Sequence, residues 1–353
     1  MMAGSATNLN LATEYSVPGE DEYVTKIAES LKSTLERTYK PGTTLRDVHP
    51  KNISCVKAEF KVEPNLPEEL RVGVFKEPRT YPAYIRFSNA SARIQADSSK
   101  DIRGMAIKLL EVEGEKLLES EKDETTQDFL LISTPRFINQ NVVDFYGTLQ
   151  AIDGGPLKMI GFFFNPFNSH LRVVWNIATS LKKHANLLEV RFWSTTPYQF
   201  GSKAVKYSAK PHQAEVTRIP KNPSENYLRE AMKQHLAGQD AYFDFMVQFQ
   251  TEPRQMPIED AGVTWNEGAS PFRKVATIRI PAQIFDTEEQ MKMAENFSFT
   301  PWHSLPEHRP LGSINRARRL VYETISKYRH ERNNAPRSEP TVEEFYGKSG
   351  ETV

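Results

Sequence analysis

The sequence predicts an α+β fold centred on an antiparallel β-sheet or barrel, with helices flanking it. Three observations carry this: short apolar/polar alternating segments follow one another with polar turns between them, helical periodicity is confined to a few separate stretches, and no repeat of fixed period is present. In the first strand Val56, Ala58, Phe60 and Val62 alternate with Lys57, Glu59 and Lys61. In the second Ala83, Ile85 and Phe87 fall on one face and Tyr84, Arg86 and Ser88 on the other. Met105 to Val112 and Asp128 to Ser133 follow, on either side of a charged connection, Glu113 to Glu124. Leu188 to Phe192, Ala204 to Ser208, Phe243 to Phe249 and Ala276 to Ile280 complete the set, and Phe243, Phe245, Val247 and Phe249 give it its clearest alternation.

The helices are expected at Asp21 to Arg37, which Pro41-Gly42 follows, at Asn141 to Ile152, Val173 to Ala185 and Glu225 to Ala237, and from Gly312 to Arg332. Residues 1–20 read as a flexible arm, 21–332 as one domain, and 333–353, rich in charge, Asn and Pro, as a tail.

Lys+Arg and Asp+Glu are both 45 in 353 residues, a balance that points to no nucleic acid and no anionic membrane as obligatory partner. Cys55 is the single cysteine, so no intrachain disulfide forms and a reducing, cytoplasmic setting is expected. Met1 to Asp21 lacks the basic and apolar regions of a secretory signal. The longest apolar cluster, Met159 to Phe167, is too short and interrupted to span a bilayer, so no transmembrane segment is expected.

Phosphate-binding loops, dinucleotide glycine patterns, His-Glu-x-x-His and nucleophile elbows are all missing from the sequence. His303 and His308, five apart in a proline-containing loop, read as hydrogen-bonding loop residues in preference to metal ligands. On the last helix Arg318 and Tyr322 are four apart and share a face, and Arg329 lies two turns further on. A guanidinium beside a phenol favours the phenolate, a hard anionic ligand suited to ferric iron. His49, in Arg46-Asp-Val-His-Pro-Lys51, precedes the first strand, and Pro50 biases it toward an extended backbone that would project its imidazole into a barrel mouth.

Together, Arg46-Asp-Val-His49, Ile85-Arg-Phe-Ser88, Asp101-Ile-Arg-Gly-Met-Ala-Ile-Lys108, Phe129-Leu-Leu-Ile-Ser-Thr-Pro135 and Arg318-x-x-x-Tyr322 resemble, in order and spacing, the motifs of haem catalases. The chain is similar to the shorter catalase-like proteins, the catalase-related peroxidases, and allene oxide synthases belong to the same superfamily. The resemblance implies a barrel enclosing ferric haem b, with Tyr322 as the iron's tyrosinate ligand and Arg318 keeping it ionised. It implies His49 as the acid/base, Ser88 as its hydrogen-bond partner, and Arg46, Arg86 and Arg329 as propionate-binding arginines. It also places Val48 over the haem and Phe137 along its pocket. A small peroxide or lipid hydroperoxide would be the substrate, and the protein a homo-oligomer.

The chain departs from the pattern at Ser133, where catalases carry a distal asparagine. Asn139 or Asn141 is a possible substitute. It departs again after the proximal tyrosine, with Glu323-Thr324 and Ser326. The expected activity is therefore a catalase-like peroxidase that turns over organic hydroperoxides better than hydrogen peroxide. The alternatives are a fatty acid hydroperoxide isomerase of the allene oxide synthase type, with Phe162-Phe163-Phe164 lining an apolar approach, and a non-catalytic haem-binding protein.

Overall fold

In the computed structural model, residues 9–165, 170–213 and 216–347 are described. The strands are β1 (Asn52–Val62), β2 (Thr80–Asn89), β3 (Arg103–Leu109), β4 (Gln127–Ile132), β5 (Phe192–Trp193), β6 (Tyr198–Phe200), β7 (Lys203–Pro211), β8 (Ala241–Phe249) and β9 (Arg273–Ile280). The strand expected over Leu188 to Phe192 is corrected: Asn186 Oδ1 accepts from the Leu188 N–H and starts a 3₁₀ turn over Leu187–Glu189, so only Phe192–Trp193 pairs, while β6 had no signal in the sequence. All pairings are antiparallel, in the order β5-β4-β3-β2-β1-β9-β8-β7-β6, and β5 also pairs with β7. That contact closes an eight-stranded barrel, with β6 left as a short hairpin partner of β7.

The inward set of each alternating strand fills the barrel. Val56, Ala58, Phe60 and Val62 meet Ala83, Ile85, Phe87, Phe243, Phe245 and Val247 in one buried cluster. Phe245 packs its ring 5.0 Å from those of Phe60 and Phe129, and Phe75, from a 3₁₀ turn, stacks on it at 6.1 Å. A barrel of this strand number has an interior just wide enough for side chains. The expectation that the barrel encloses a cofactor is thus corrected: its lumen is a packed aromatic core, and any ligand must lie outside the wall.

Around the barrel stand α1 (Glu20–Thr38), α2 (Val142–Asp153), α3 (Pro156–Phe163), α4 (Leu171–Ser180), α5 (Tyr227–Leu236), α6 (Glu288–Asn296), α7 (Ser313–Asn333) and α8 (Val342–Tyr346). α2 begins where its cap predicts, with the Asn141 side chain accepting from the Asp144 N–H. α7 starts at Gly312, whose φ of 87° suits glycine and whose Cβ would lie 2.4 Å from the Ile258 carbonyl oxygen. α1, α2 and α7 share an apolar seam of Val24, Ile27, Leu31, Val142, Ala317 and Val321.

The chain ends are tied down where they are described. Glu14 and Glu20 both pair with Arg316 of α7, at 2.6 Å each. Burial alone would raise the Glu14 carboxyl, but the Gly312 N–H and the guanidinium groups of Arg309 and Arg316 hold it below the usual carboxylate range. At the other end Glu339 reaches the fully buried Lys108 at 2.6 Å, and Phe345 packs on Tyr84. Residues 9–19 and 333–347 therefore lie against the body, where composition alone suggested a flexible arm and a tail. Residues 1–8 and 348–353, and Phe167 of the Phe-rich stretch, lie outside the described residues. Among the described residues no helix is long and apolar enough to cross a membrane.

Candidate functional site

On β2 the outward set is Tyr84, Arg86 and Ser88, and here that face is as buried as the inward one. α7 crosses outside β2, β3 and β4, and between helix and sheet lies a pocket of about 1020 Å³, counting its open mouth. The sheet side of its wall includes His49, Arg86, Ser88, Gly104 and Ala106, and the helix side Arg318, Val321, Tyr322, Ile325 and Arg329. Leu31 of α1 and Phe299 add apolar surface, and Arg46, Asp47 and Val48 also line it. Val48 is 47% exposed and so lies where the pocket meets solvent.

His49 is held from several directions. Its φ is 60°, in the left-handed region, which corrects the extended conformation expected from Pro50. The reason is tertiary: Arg86 Nη2 donates to the His49 carbonyl at 2.9 Å, and the His49 N–H donates to the Ala90 carbonyl. With the backbone so placed, the imidazole Nδ1 lies 2.8 Å from Ser88 Oγ. Gly104, paired with Ser88 across β2 and β3, makes room for both. A Cβ there would sit 2.6 Å from the imidazole and 2.7 Å from Ser88 Oγ. Gly104→Ala is accordingly expected to push the ring out of place and cost about 1–3 kcal/mol of stability by overpacking, read from the urea midpoint of unfolding.

The pocket is strongly cationic. Arg86 and Arg329 are only 3% and 4% exposed, and among the described residues Arg86 Nε has no hydrogen-bond partner. Arg329 Nη1 donates to the Glu295 carbonyl at 2.6 Å, and Arg46 pairs with the Glu295 carboxylate at 2.6 Å. Burial, together with the neighbouring charge of Arg46, pulls Arg86 and Arg329 each down to about 9. Burial, then Arg86, Arg318 and Arg46, pushes the His49 imidazole down to about 3, so it is neutral at ordinary pH. Asp47 is pushed up to about 6 by burial and then by Asp153. Guanidinium groups that are buried, mutually repelling and not fully hydrogen-bonded are suited to a ligand carrying more than one carboxylate.

No family model matches this chain, and no curated protein sequence does. Solved structures do match. A fungal catalase superimposes with a TM-score of 0.66 over 91% of this chain at 17% identity. Catalase A from Saccharomyces cerevisiae gives 0.65 over 91% at 17% identity, and a bacterial catalase 0.59 over 93% at 15%. The fold is catalase-like. The chain spans 65% of the fungal catalase, 67% of catalase A and 64% of the bacterial one.

Within this catalase-like fold, Arg46, Val48, His49, Arg86, Ser88, Arg318, Tyr322 and Arg329 are brought to one pocket from segments far apart in sequence. Arg318 directs Nη1 to Thr196 Oγ1 at 3.3 Å and Asn315 Oδ1 at 3.1 Å, so its hydrogen bonds go to neighbours other than Tyr322. Ser133 and Phe137 are placed elsewhere than expected. The Ser133 hydroxyl accepts from the Arg103 N–H at 2.9 Å, so this short side chain serves the β3–β4 edge and does not line the pocket. Phe137 packs 5.9 Å from Phe145 and under the Arg318 guanidinium at 5.5 Å, also off the pocket lining.

Asn139 Nδ2 donates to Thr148 Oγ1 at 2.7 Å and Asn141 caps α2, so neither substitutes for a distal carboxamide. Phe162, Phe163 and Phe164 line no part of the pocket. His303 bonds Glu121 and Thr126, whereas His308 Nε2 accepts from the Val74 N–H at 3.2 Å, and no cluster of metal-ligating groups occurs among the described residues.

Gly104 and Asp47 line the pocket, and Glu295 pairs with its arginines, although the sequence singles out none of the three. Gly104 had a signal, since it stands inside the Asp101-to-Lys108 motif. Glu295 had none, because α6 shows little apolar periodicity.

Proposed function

We propose that the pocket binds ferric haem b through Tyr322 and that the protein processes organic hydroperoxides. The observation that carries this is the cationic, apolar-walled pocket with His49 on its sheet side and Tyr322 on its helix side. Its aliphatic and aromatic lining suits a macrocycle, and Arg46, Arg86 and Arg329 would hold two propionates. The buried Arg86 Nε, which has no hydrogen-bond partner among the described residues, fits such a group. Bound haem would supply the redox chemistry at iron that side chains lack.

The chain's own contribution centres on His49. In the tautomer whose Nδ1–H donates to Ser88 Oγ, 2.8 Å away, Nε2 keeps its lone pair and is the base that would take the hydroperoxide proton. The same environment that disfavours imidazolium makes His49 release that proton readily to the departing oxygen. Arg86 holds the loop through the His49 carbonyl, which fixes where the ring stands. With Ser133 engaged at the sheet edge, His49 carries the proton traffic without a carboxamide opposite it, and the apolar walls favour an organic hydroperoxide over hydrogen peroxide.

The test is a haem titration of the purified protein, followed by steady-state assays on hydrogen peroxide, tert-butyl hydroperoxide and a fatty acid hydroperoxide, with a phenolic reductant present to supply the two electrons that convert each hydroperoxide to alcohol and water. One haem bound per chain and faster turnover of the organic substrates are expected. Haem binding without turnover would leave a non-catalytic haem protein. An epoxide product from the fatty acid hydroperoxide, in place of the alcohol, would assign the isomerase reading. A chain that takes up no haem would remove the proposal.

A further inference from the structure

Helices α3 and α4 are built inside out. In α4 the residues turned to the body are Val173, Asn176 and Ser180, and the two polar ones are anchored there. Asn176 Nδ2 donates to the Ile138 carbonyl at 3.1 Å and its Oδ1 accepts from Arg136 at 2.7 Å, while Ser180 bonds Thr134. Leu171 and Trp175 are left facing out, 52% and 66% exposed. In α3 only Phe163 is buried, and Leu157, Ile160 and Phe164 are 84%, 59% and 59% exposed. The two helices are joined side to side, with the Phe162 ring stacked 3.9 Å from that of His170, and His170 in turn 2.7 Å from Asp144 of α2.

A contiguous exposed apolar surface marks something that covers it. Charge decides between the coverings. From Gly154 to Leu188 the sequence has no acidic residue, although Asp+Glu number 45 in 353 residues, and it carries Lys158, Lys182 and Lys183 besides Arg172, which pairs with Asp260 at 2.6 Å. A like surface on a second copy would meet these cations with cations. Exposed Trp, Phe, Leu and Ile flanked by Lys and Arg is the chemistry of a surface that lies in the interface of an anionic bilayer.

The patch is also close to the pocket. α3 follows directly on α2, and α2 packs on the seam containing Leu31 and Val321, both of which line the pocket. Asp153, at the end of α2, is near enough to Asp47 in the pocket wall for their charges to interact.

We propose that α3 and α4 form a docking face for anionic lipid membranes, which sets the mouth of the pocket against the bilayer. Docking does not depend on what the pocket binds, whereas its use, drawing a lipid hydroperoxide from the membrane, rests on the function proposed above.

Trp175 is the one exposed tryptophan of the four, which supplies a direct probe. The full-length protein is mixed with vesicles of phosphatidylcholine containing phosphatidylglycerol, and co-sedimentation and tryptophan emission are followed. Binding with a blue shift is expected, with weaker binding to phosphatidylcholine alone, and the shift should vanish in Trp175→Phe. Leu157→Glu with Ile160→Glu should lower partitioning about tenfold or more, because two apolar side chains leave the interface and two like charges face it, while circular dichroism and the melting temperature stay unchanged. No binding to either vesicle, or binding indifferent to the double substitution, would overturn the proposal. So would a dimer in sedimentation equilibrium that the double substitution dissociates, which would assign the face to a second copy.

Activity provides the separate arm. The double variant should lose turnover of a phospholipid hydroperoxide presented in vesicles and keep turnover of tert-butyl hydroperoxide in solution. If wild-type protein binds vesicles but consumes neither substrate, the proposed function fails and the docking face stands.

Discussion

Tyr322→Phe is expected to abolish the ferric haem spectrum of the reconstituted protein. The phenol lies on the pocket side of α7, half-buried, one turn after Arg318 and two turns before Arg329. Removing one oxygen keeps the ring and its packing, so the barrel, helices and melting temperature should be retained. What is lost is the one phenol oxygen that the helix side of the pocket, among the described residues, would offer to ferric iron. Without it Arg46, Arg86 and Arg329 alone would hold the haem, loosely. The expected readout is loss of the high-spin ferric bands, with haem affinity lowered about tenfold or more, in absorption titrations of both proteins. An unchanged spectrum in the variant would take Tyr322 out of the site.

His49→Ala should retain haem and lose hydroperoxide turnover by a factor on the order of 100 or more, the usual contribution of a positioned acid/base. The pH dependence gives a second readout. A free histidine titrates near 6.5, but burial and the charges of Arg86, Arg318 and Arg46 push this one down to about 3. The native state therefore binds fewer protons than the unfolded state between those values, and stability contributed at this site falls as pH drops from about 6.5 toward 3. Two outcomes follow. Wild-type activity should show no acid limb near pH 6.5, since His49 stays a neutral base well below it. The alanine variant should lose less stability than wild type on acidification through that window, measured by urea unfolding at pH 7 and pH 4.5. A wild-type activity limb at 6.5, or full turnover in the variant, would remove His49 from the chemistry.

The strand pattern that these predictions rest on was largely legible in the sequence. Alternation from Val56 to Val62 and from Phe243 to Phe249 identifies the side chains that pack the barrel, because a period of two leaves no other way to sort them. The Asn141 cap marks the start of α2 for an equally local reason. The spacing of Arg318, Tyr322 and Arg329 on one helix, and the residues from Arg46 to His49, likewise belong to short stretches.

What the sequence left open is long-range. Alternation on β2 separates Ile85 and Phe87 from Arg86 and Ser88 but, with both faces buried, cannot say which one looks into the lumen; only the closed barrel, filled by its phenylalanines, puts the arginine and serine outside. β5 and β6 are two and three residues long, too short to show a period, yet β5 closes the ring. The left-handed backbone of His49 comes from Arg86 and Ala90, and the position of Ser133 from Arg103, against what Pro50 and the motif implied. Glu14 with Arg316 and Lys108 with Glu339 pair across more than two hundred residues, so no local composition could have tied down the chain ends. Periods and caps act within a few residues and can be read from them. The face a side chain meets, and the charge that pairs with it, depend on segments that only folding brings together.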